Sequence, residues 1–223
     1  MIALFDIDKT LIHRSEVHEE AFSYAFREVY GVEATVDLID YHGKTDPAIA
    51  REVLSLLGLE SGDIDDGMDD FLHELVVYVG KNIRYDDIRL IDGVMGFLEA
   101  LRSSSACMGV VTGNLEDIAF MKLERAGIAG YFSFGGFGSD SSIREELTEI
   151  AVKRGLEMGA SGRIVLFGDT PYDMMAGAHV GALKIGIAAG RYGEAELRRA
   201  GADHVFRDYR SPEIMDIITC EQF

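Results

Sequence analysis

Two cysteines in 223 residues, Cys107 and Cys220, are too few for a disulfide framework, and Cys107 is expected to pack in a strand. Positive charge is scarce too: 21 lysines and arginines stand against 39 acids, a formal net of −18. Nucleic acid and anionic membrane both need basic surface, so neither is expected as a partner. A small anionic substrate is not excluded, because screening over about 8 Å leaves local charges in control of a pocket. No apolar run approaches the roughly 20 residues of a membrane span. No basic segment followed by an apolar stretch and a cleavage site opens the chain, so a cytoplasmic protein without a signal peptide is expected. Repeats and low-complexity segments are also missing.

Against these absences stands an apolar fraction of 48%, enough for a sizeable core. Ile2-Ala3-Leu4-Phe5 is an uninterrupted apolar run that ends in Asp6-Ile7-Asp8-Lys9-Thr10. Such a run reads as a strand buried on both faces of a parallel sheet. Its carboxyl end is where open α/β sheets place ligands. Two carboxylates there repel each other and lose hydration, and a bound cation is the simplest offset.

Residues 15–88 read as almost entirely helical. Stripes at Ala21, Phe22, Ala25, Phe26 and Val29, at Ile49, Val53 and Leu54, and at Met68, Phe71, Leu75 and Val79 keep helical spacing. They read as the core of a small bundle. From residue 92, helices and strands alternate: strands at 106–111, 131–134, 164–167 and 183–188, with Val205 and Phe206 at an edge, and helices at 93–102, 118–126, 144–158 and 174–180, with a last one through Ile214 and Ile218. That alternation predicts an α/β fold, a doubly wound parallel sheet with right-handed crossovers. The expected organisation is a core of residues 1–14 and 89–223, with a helical cap inserted at 15–88.

Three further places carry polar groups. Thr112-Gly113-Asn114 closes a strand before a helix, where a hydroxyl and backbone N–H groups make a natural anion seat. Helix capping by Asn114 explains the same residues equally well. Gly168-Asp169-Thr170-Pro171-Tyr172-Asp173 again follows a buried strand. Asp173 suits a helix N-terminus, whereas Asp169 has no such local explanation. Hard carboxylate oxygens of this kind suit Mg²⁺, which fills its shell with waters and substrate phosphate. Arg144 follows a glycine-rich turn (Gly135, Gly136, Gly138) and begins a helix, an unfavourable place for a cation unless it has a partner. Lys153, beside Arg154 in mid-helix, reads as a solvated surface lysine.

Asp6-Ile7-Asp8-Lys9-Thr10, Thr112-Gly113-Asn114, Arg144 and Gly168-Asp169 with Asp173 resemble, in order, the four motifs of the haloacid dehalogenase superfamily. The insertion after the first motif resembles the helical-cap subgroup that includes phosphoglycolate phosphatase-like and β-phosphoglucomutase-like proteins. Arg144 stands where lysine is more usual, and Lys9 where a smaller or different residue is common. The resemblance implies a Rossmann-like core, a Mg²⁺ cofactor and a small phosphorylated metabolite as partner. It implies Asp6 as nucleophile and Asp8 as proton carrier. Asp6, the carbonyl of Asp8 and Asp169 would hold the metal, with Asp173 supporting it. Thr10, Thr112, Gly113, Asn114 and Arg144 would bind phosphate, and Lys44, in the cap loop Tyr41–Pro47, would contact substrate.

Phosphate monoester hydrolysis is accelerated by enzymes up to ~10²¹-fold, whereas one placed acid supplies about 10²- to 10⁴-fold. A nucleophile, an acid and electrostatic stabilisation must therefore act together. Dehalogenase members lack the second aspartate, because halide leaves without a proton, so Asp8 points to phosphoryl transfer. A Mg²⁺-dependent phosphatase is the expected function. A phosphomutase is the close alternative, and a phospho-accepting signalling module or a non-catalytic phosphate-binding protein is more remote. His13, His18, His73, His179 and His204 are scattered without ligand spacing and are expected to have no role.

Overall fold

The computed structural model describes residues 1–220. Of the range 89–223 expected for the core, residues 221–223 lie outside the description. Six strands form one parallel sheet in the order β3-β2-β1-β4-β5-β6. They are β1 Ile2–Phe5, β2 Cys107–Val111, β3 Phe134–Gly136, β4 Ile164–Gly168, β5 Leu183–Ile187 and β6 His204–Phe206. Among the described residues nine α-helices accompany them: α1 Glu16–Tyr30, α2 Asp46–Leu56, α3 Ser61–Asn82, α4 Val94–Ser103, α5 Glu116–Arg125, α6 Arg144–Glu157, α7 Pro171–His179, α8 Glu194–Arg199 and α9 Glu213–Thr219.

β1 is central, with Phe5 in register with Val110 of β2 and Phe167 of β4. All four of its side chains are buried, as the unbroken apolar run requires. Ala3 and Phe5 face one layer, with Phe97 and Leu98 of α4 and Leu123 of α5. Phe5 stacks on Phe167 with ring centroids 4.6 Å apart. Ile2 and Leu4 face the other layer, with Leu147 and Ala151 of α6. Each fully buried Ile, Leu or Phe among them contributes about 1.5–3 kcal/mol. The first strand is thus clamped from both sides, and its end is a rigid platform.

Two sequence expectations need correction. The strand expected at Tyr131–Phe134 lies later, at Phe134–Gly136, and Ala129–Tyr131 forms a 3₁₀ turn. Gly135 and Gly136 therefore belong to the sheet rather than to a turn. A Cβ on Gly136 would stand 1.9 Å from the Leu147 carbonyl oxygen, so α6 lies directly against this strand. The short helix α8 was not anticipated; its one buried residue is Leu197, too little to form a stripe.

Helices α1, α2 and α3 pack around Phe22, Phe26, Leu54, Phe71 and Leu75. Ser15 caps α1, Thr45 caps α2, and Gly31 ends α1 in the left-handed conformation at φ 66. The chain leaves and returns along one path: His13 donates to the Arg89 carbonyl at 2.8 Å and Ile91 to that of Leu11 at 2.9 Å. The bundle's apolar core continues into Leu115 and Ile118, at the start of α5. The apolar core of this helical bundle therefore does not stop at residue 88. Among the described residues no helix is long and apolar enough to cross a membrane.

Candidate active site

The carboxyl ends of β1, β2 and β4 lie side by side, so Asp6, Thr112 and Asp169 converge by register alone. A cleft roofed by α1 and the loop before α2 opens above them. Five acidic and five basic side chains line it. That balance differs sharply from a chain whose formal net is −18.

Asp6 is 7% exposed, and Arg144 reaches it at 2.6 Å through Nη2. The same guanidinium donates to Asp173 Oδ1 at 2.5 Å, so one cation serves two carboxylates. Arg144 is the first residue of α6, and this paired burial explains a cation where a helix dipole disfavours one. Asp173 completes a capping box: its Oδ2 accepts from the Thr170 backbone N–H at 2.9 Å and from the Thr170 hydroxyl at 2.7 Å. One oxygen each from Asp6, Asp169 and Asp173 lie within 4.8 Å of one another. Burial pushes the Asp6 carboxyl up to about 7; Arg144 pulls it down, while Asp173 and Asp8 push it further up. Burial likewise raises Asp169 well above the usual carboxylate range, and Asp6 and Asp173 add to the rise. The group is short of positive charge, which is the condition a divalent cation relieves. Asp6 and Asp169 are suited to hold Mg²⁺. Asp173 stands behind them, with both oxygens already engaged.

Asp8 has the opposite setting. Its Oδ2 accepts from Lys122 Nζ at 2.6 Å, and the same ammonium donates to Asn114 Oδ1 at 2.8 Å. Lys122 lies on α5 and is 1% exposed. Burial alone would raise the Asp8 carboxyl, but the charges of Lys122 and His18 and the hydrogen bonds from Lys122 and Asn114 outweigh it, so the net shift is downward. The Asp8 carboxylate therefore stands outside the three-carboxylate group. Thr112 is buried and its Oγ1 accepts from the Asn114 N–H at 3.2 Å, shaping the turn that β2 feeds into α5.

The loop before α2 reaches this floor. Asp46 donates its N–H to the Gly113 carbonyl at 2.8 Å and accepts from the Leu115 N–H at 2.9 Å. A Cβ on Gly113 would sit 2.1 Å from the Lys44 carbonyl oxygen, so only glycine permits this approach. The Lys44 side chain lines the cleft and pairs with Glu52. His18 of α1 is also in the cleft; its Nε2 lies 3.3 Å from Asp46 Oδ2, off the hydrogen-bond direction, and has no partner.

The structure thus brings together Asp6, Asp8, Lys44, Thr112, Gly113, Asn114, Arg144 and Asp169 along one cleft. Thr10 is the exception to the expected phosphate-binding set. It is fully buried, its hydroxyl has no partner, and it lies beneath the cleft surface, because the tight turn after Asp8 folds it inward. Lys122 and His18 are the residues that sequence reasoning missed. Lys122 reads as an ordinary helical lysine until α5 is docked, although a lysine flanked by Ala119 and Leu123, both on the buried face, was the available signal. His18 sits in the first turn of α1, at one with the buried Val17 and Phe22.

A family model described as haloacid dehalogenase-like hydrolase matches residues 3–187. A curated relative from Clostridium perfringens, provisionally named pyrophosphatase PpaX, is 25% identical over 228 residues, covering 96% of this chain and 95% of its own. A solved hydrolase from Pseudomonas syringae superposes with a TM-score of 0.76 at 19% identity, covering 98% of this chain and 99% of its own. CbbY from Rhodobacter sphaeroides, in complex with phosphate, gives 0.71 at 19% identity, with 94% and 95% covered. The two structural likenesses establish the fold.

Proposed function

The chain belongs to the haloacid dehalogenase-like hydrolases, and on that premise we propose that it is a Mg²⁺-dependent phosphatase acting on a small phosphorylated metabolite through an aspartyl-phosphate. The observation that carries this reading is the division of labour between two aspartates of one strand end. Asp6 faces Arg144 and Asp169, and Asp8 faces Lys122.

Asp6 attacks phosphorus while the bond to the leaving oxygen breaks, giving an aspartyl-phosphate and splitting one hard step into two. Arg144 holds Asp6 Oδ1 and so fixes where the other oxygen points. Asp8, held ionised by Lys122 in the free protein, takes up the proton that a substrate monoanion brings, passes it to the departing oxygen and returns to the ionised form. It then takes a proton from the water that attacks phosphorus, and the Asp6 carboxylate is regenerated. Thr112, Asn114 and the N–H groups of the β2–α5 turn receive phosphoryl oxygens, with Arg144 as charge partner. Mg²⁺ held by Asp6 and Asp169 supplies charge neutralisation at the phosphoryl group when bound. Residues 15–88 act as the cap, and the loop Tyr41–Asp46 closes the cleft against bulk water.

The test is phosphate release across a panel of phosphate esters, with Mg²⁺ and with EDTA. Release that needs Mg²⁺ is expected. Equal rates in EDTA would sink the metal assignment, and no release on any ester would sink the enzyme assignment.

A further inference from the structure

Lys9 follows Asp8 directly and adopts φ 64, one of two non-glycine residues with positive φ among those described. An L-residue in this region carries a steric penalty that glycine avoids. The turn enforces the conformation: the Lys9 N–H donates to the Ile12 carbonyl at 2.7 Å, and Leu11 and Ile12 both donate to that of Ile7. A lysine here therefore costs stability for which the backbone gives no return. Its side chain starts beside Gly190 and Asp169 and lines the cleft. Every other lysine or arginine lining the cleft already has a carboxylate: Arg14 has Glu19 at 3.3 Å, Lys44 has Glu52, Lys122 has Asp8, and Arg144 has Asp6 and Asp173. Among the described residues, Lys9 has none within 4.0 Å. Asp8, Asp169 and Glu19 attract this half-buried ammonium from a distance without contacting it, so its hydrogen-bond donors stay open to an anion in the cleft.

We propose that Lys9 is a specificity-determining residue that binds a second anionic group, a carboxylate or a second phosphate, on the leaving group of the substrate. The proposal rests on the phosphatase reading and narrows its substrate class. In that reading the phosphoryl group itself is matched by Arg144 and the β2–α5 turn, which leaves Lys9 for a further charge. Phe22, Val36 and Ile49 give the cap side of the cleft an apolar wall. A compact leaving group that ends in a charge fits between that wall and Lys9.

The test compares phosphoglycolate with ethyl phosphate, which differ by one carboxylate, and adds inorganic pyrophosphate as the phosphate-bearing arm. With Mg²⁺, the native protein should prefer the carboxylate or the pyrophosphate substrate over ethyl phosphate by about tenfold or more in kcat/KM, as one charge-assisted contact warrants. Whichever arm is preferred identifies the anion. Lys9→Met and Lys9→Gly should each erase most of that preference, chiefly through KM. Lys9→Gly should unfold at a higher temperature than Lys9→Met, because glycine relieves the φ penalty that methionine keeps. Equal loss on all substrates would overturn the proposal and leave Lys9 as a counter-charge to the acidic group. A second readout removes turnover: calorimetric binding of phosphoglycolate and ethyl phosphate to the Asp6→Asn protein, with and without Lys9→Met. If no ester is hydrolysed yet binding still discriminates through Lys9, the phosphatase reading fails and the anion site stands. Hydrolysis without discrimination by either readout does the reverse.

Discussion

Asp6 and Asp8 are separated by one residue at the end of the same strand, yet their surroundings drive them apart. Asp6 shares a single arginine with Asp173 and has Asp169 close by, so its negative charge is poorly compensated and its carboxyl rises to about 7. Asp8 has a buried lysine that serves no other carboxylate, and its pKa falls. Desolvation pushes both carboxyls upward, although the Asp8 side chain keeps 32% exposure, so it does not drive the two in opposite directions. The number of acids per cation does. On one side the site keeps a deficit of positive charge that a divalent cation can fill. On the other it keeps a satisfied ion pair.

The sharpest way to break this comparison is to delete one side at a time. Asp6→Asn should lower kcat by roughly 10⁴-fold or more, as loss of a nucleophile does elsewhere. It should also leave the thermal midpoint of the metal-free protein at or above wild type, because it removes a crowded carboxylate. Near-normal phosphate release from this variant would end the nucleophile assignment. Lys122→Met acts on the other side and should cost both activity and stability. It strands Asn114 and Asp8 around a vacated buried position, a loss of about 1–3 kcal/mol after allowing for the partial exposure of Asp8. Chemical denaturation measures it, and adding Asp8→Asn in the same chain should restore part of the loss. A double variant as unstable as the sum of the two single ones would show that the 2.6 Å contact carries no coupling.

How much of this was legible beforehand divides along the same line. Asp6, Asp169, Thr112 and Arg144 could be read because buried strands announce themselves by unbroken apolar runs, and a parallel sheet gathers its strand ends on one edge. The position of Arg144 at a helix start was itself a signal, since the dipole disfavours it there. Lys122 was hidden because its meaning depends on how α5 docks, and no local pattern encodes a contact 114 residues away in sequence. His18 was hidden for the same reason, since the cap helix must fold back over the sheet before it meets the site. Thr10 was misplaced because motif order says nothing about which way a tight turn rotates a side chain. Gly135 and Gly136 read as a turn because glycine is a weak strand former; only the close approach of α6 explains them.

The smallest expected effect concerns pH, and it tests both sides at once. In the metal-free protein Asp6 holds its proton to about pH 7, against 3.8 for an ordinary aspartate. Below about pH 4 the group is protonated in the folded and the unfolded chain alike, and it imposes no pH-dependent cost. As pH rises from about 4 to 7, the unfolded chain ionises first and folding loses stability. Asp169, raised by the same burial, adds to that loss. In EDTA, Asp6→Asn should therefore be increasingly stabilised over wild type across this window, by on the order of a few kcal/mol at most. Mg²⁺ should close the gap by stabilising wild type alone. Asp8→Asn should behave oppositely, because a lowered carboxyl contributes stability that is present at neutral pH and lost as acid protonates it. Its destabilisation should shrink on acidification. Thermal midpoints of the three proteins from pH 4 to pH 8 decide the matter: parallel curves would mean that the two aspartates share one environment, and the contrast between them would fall.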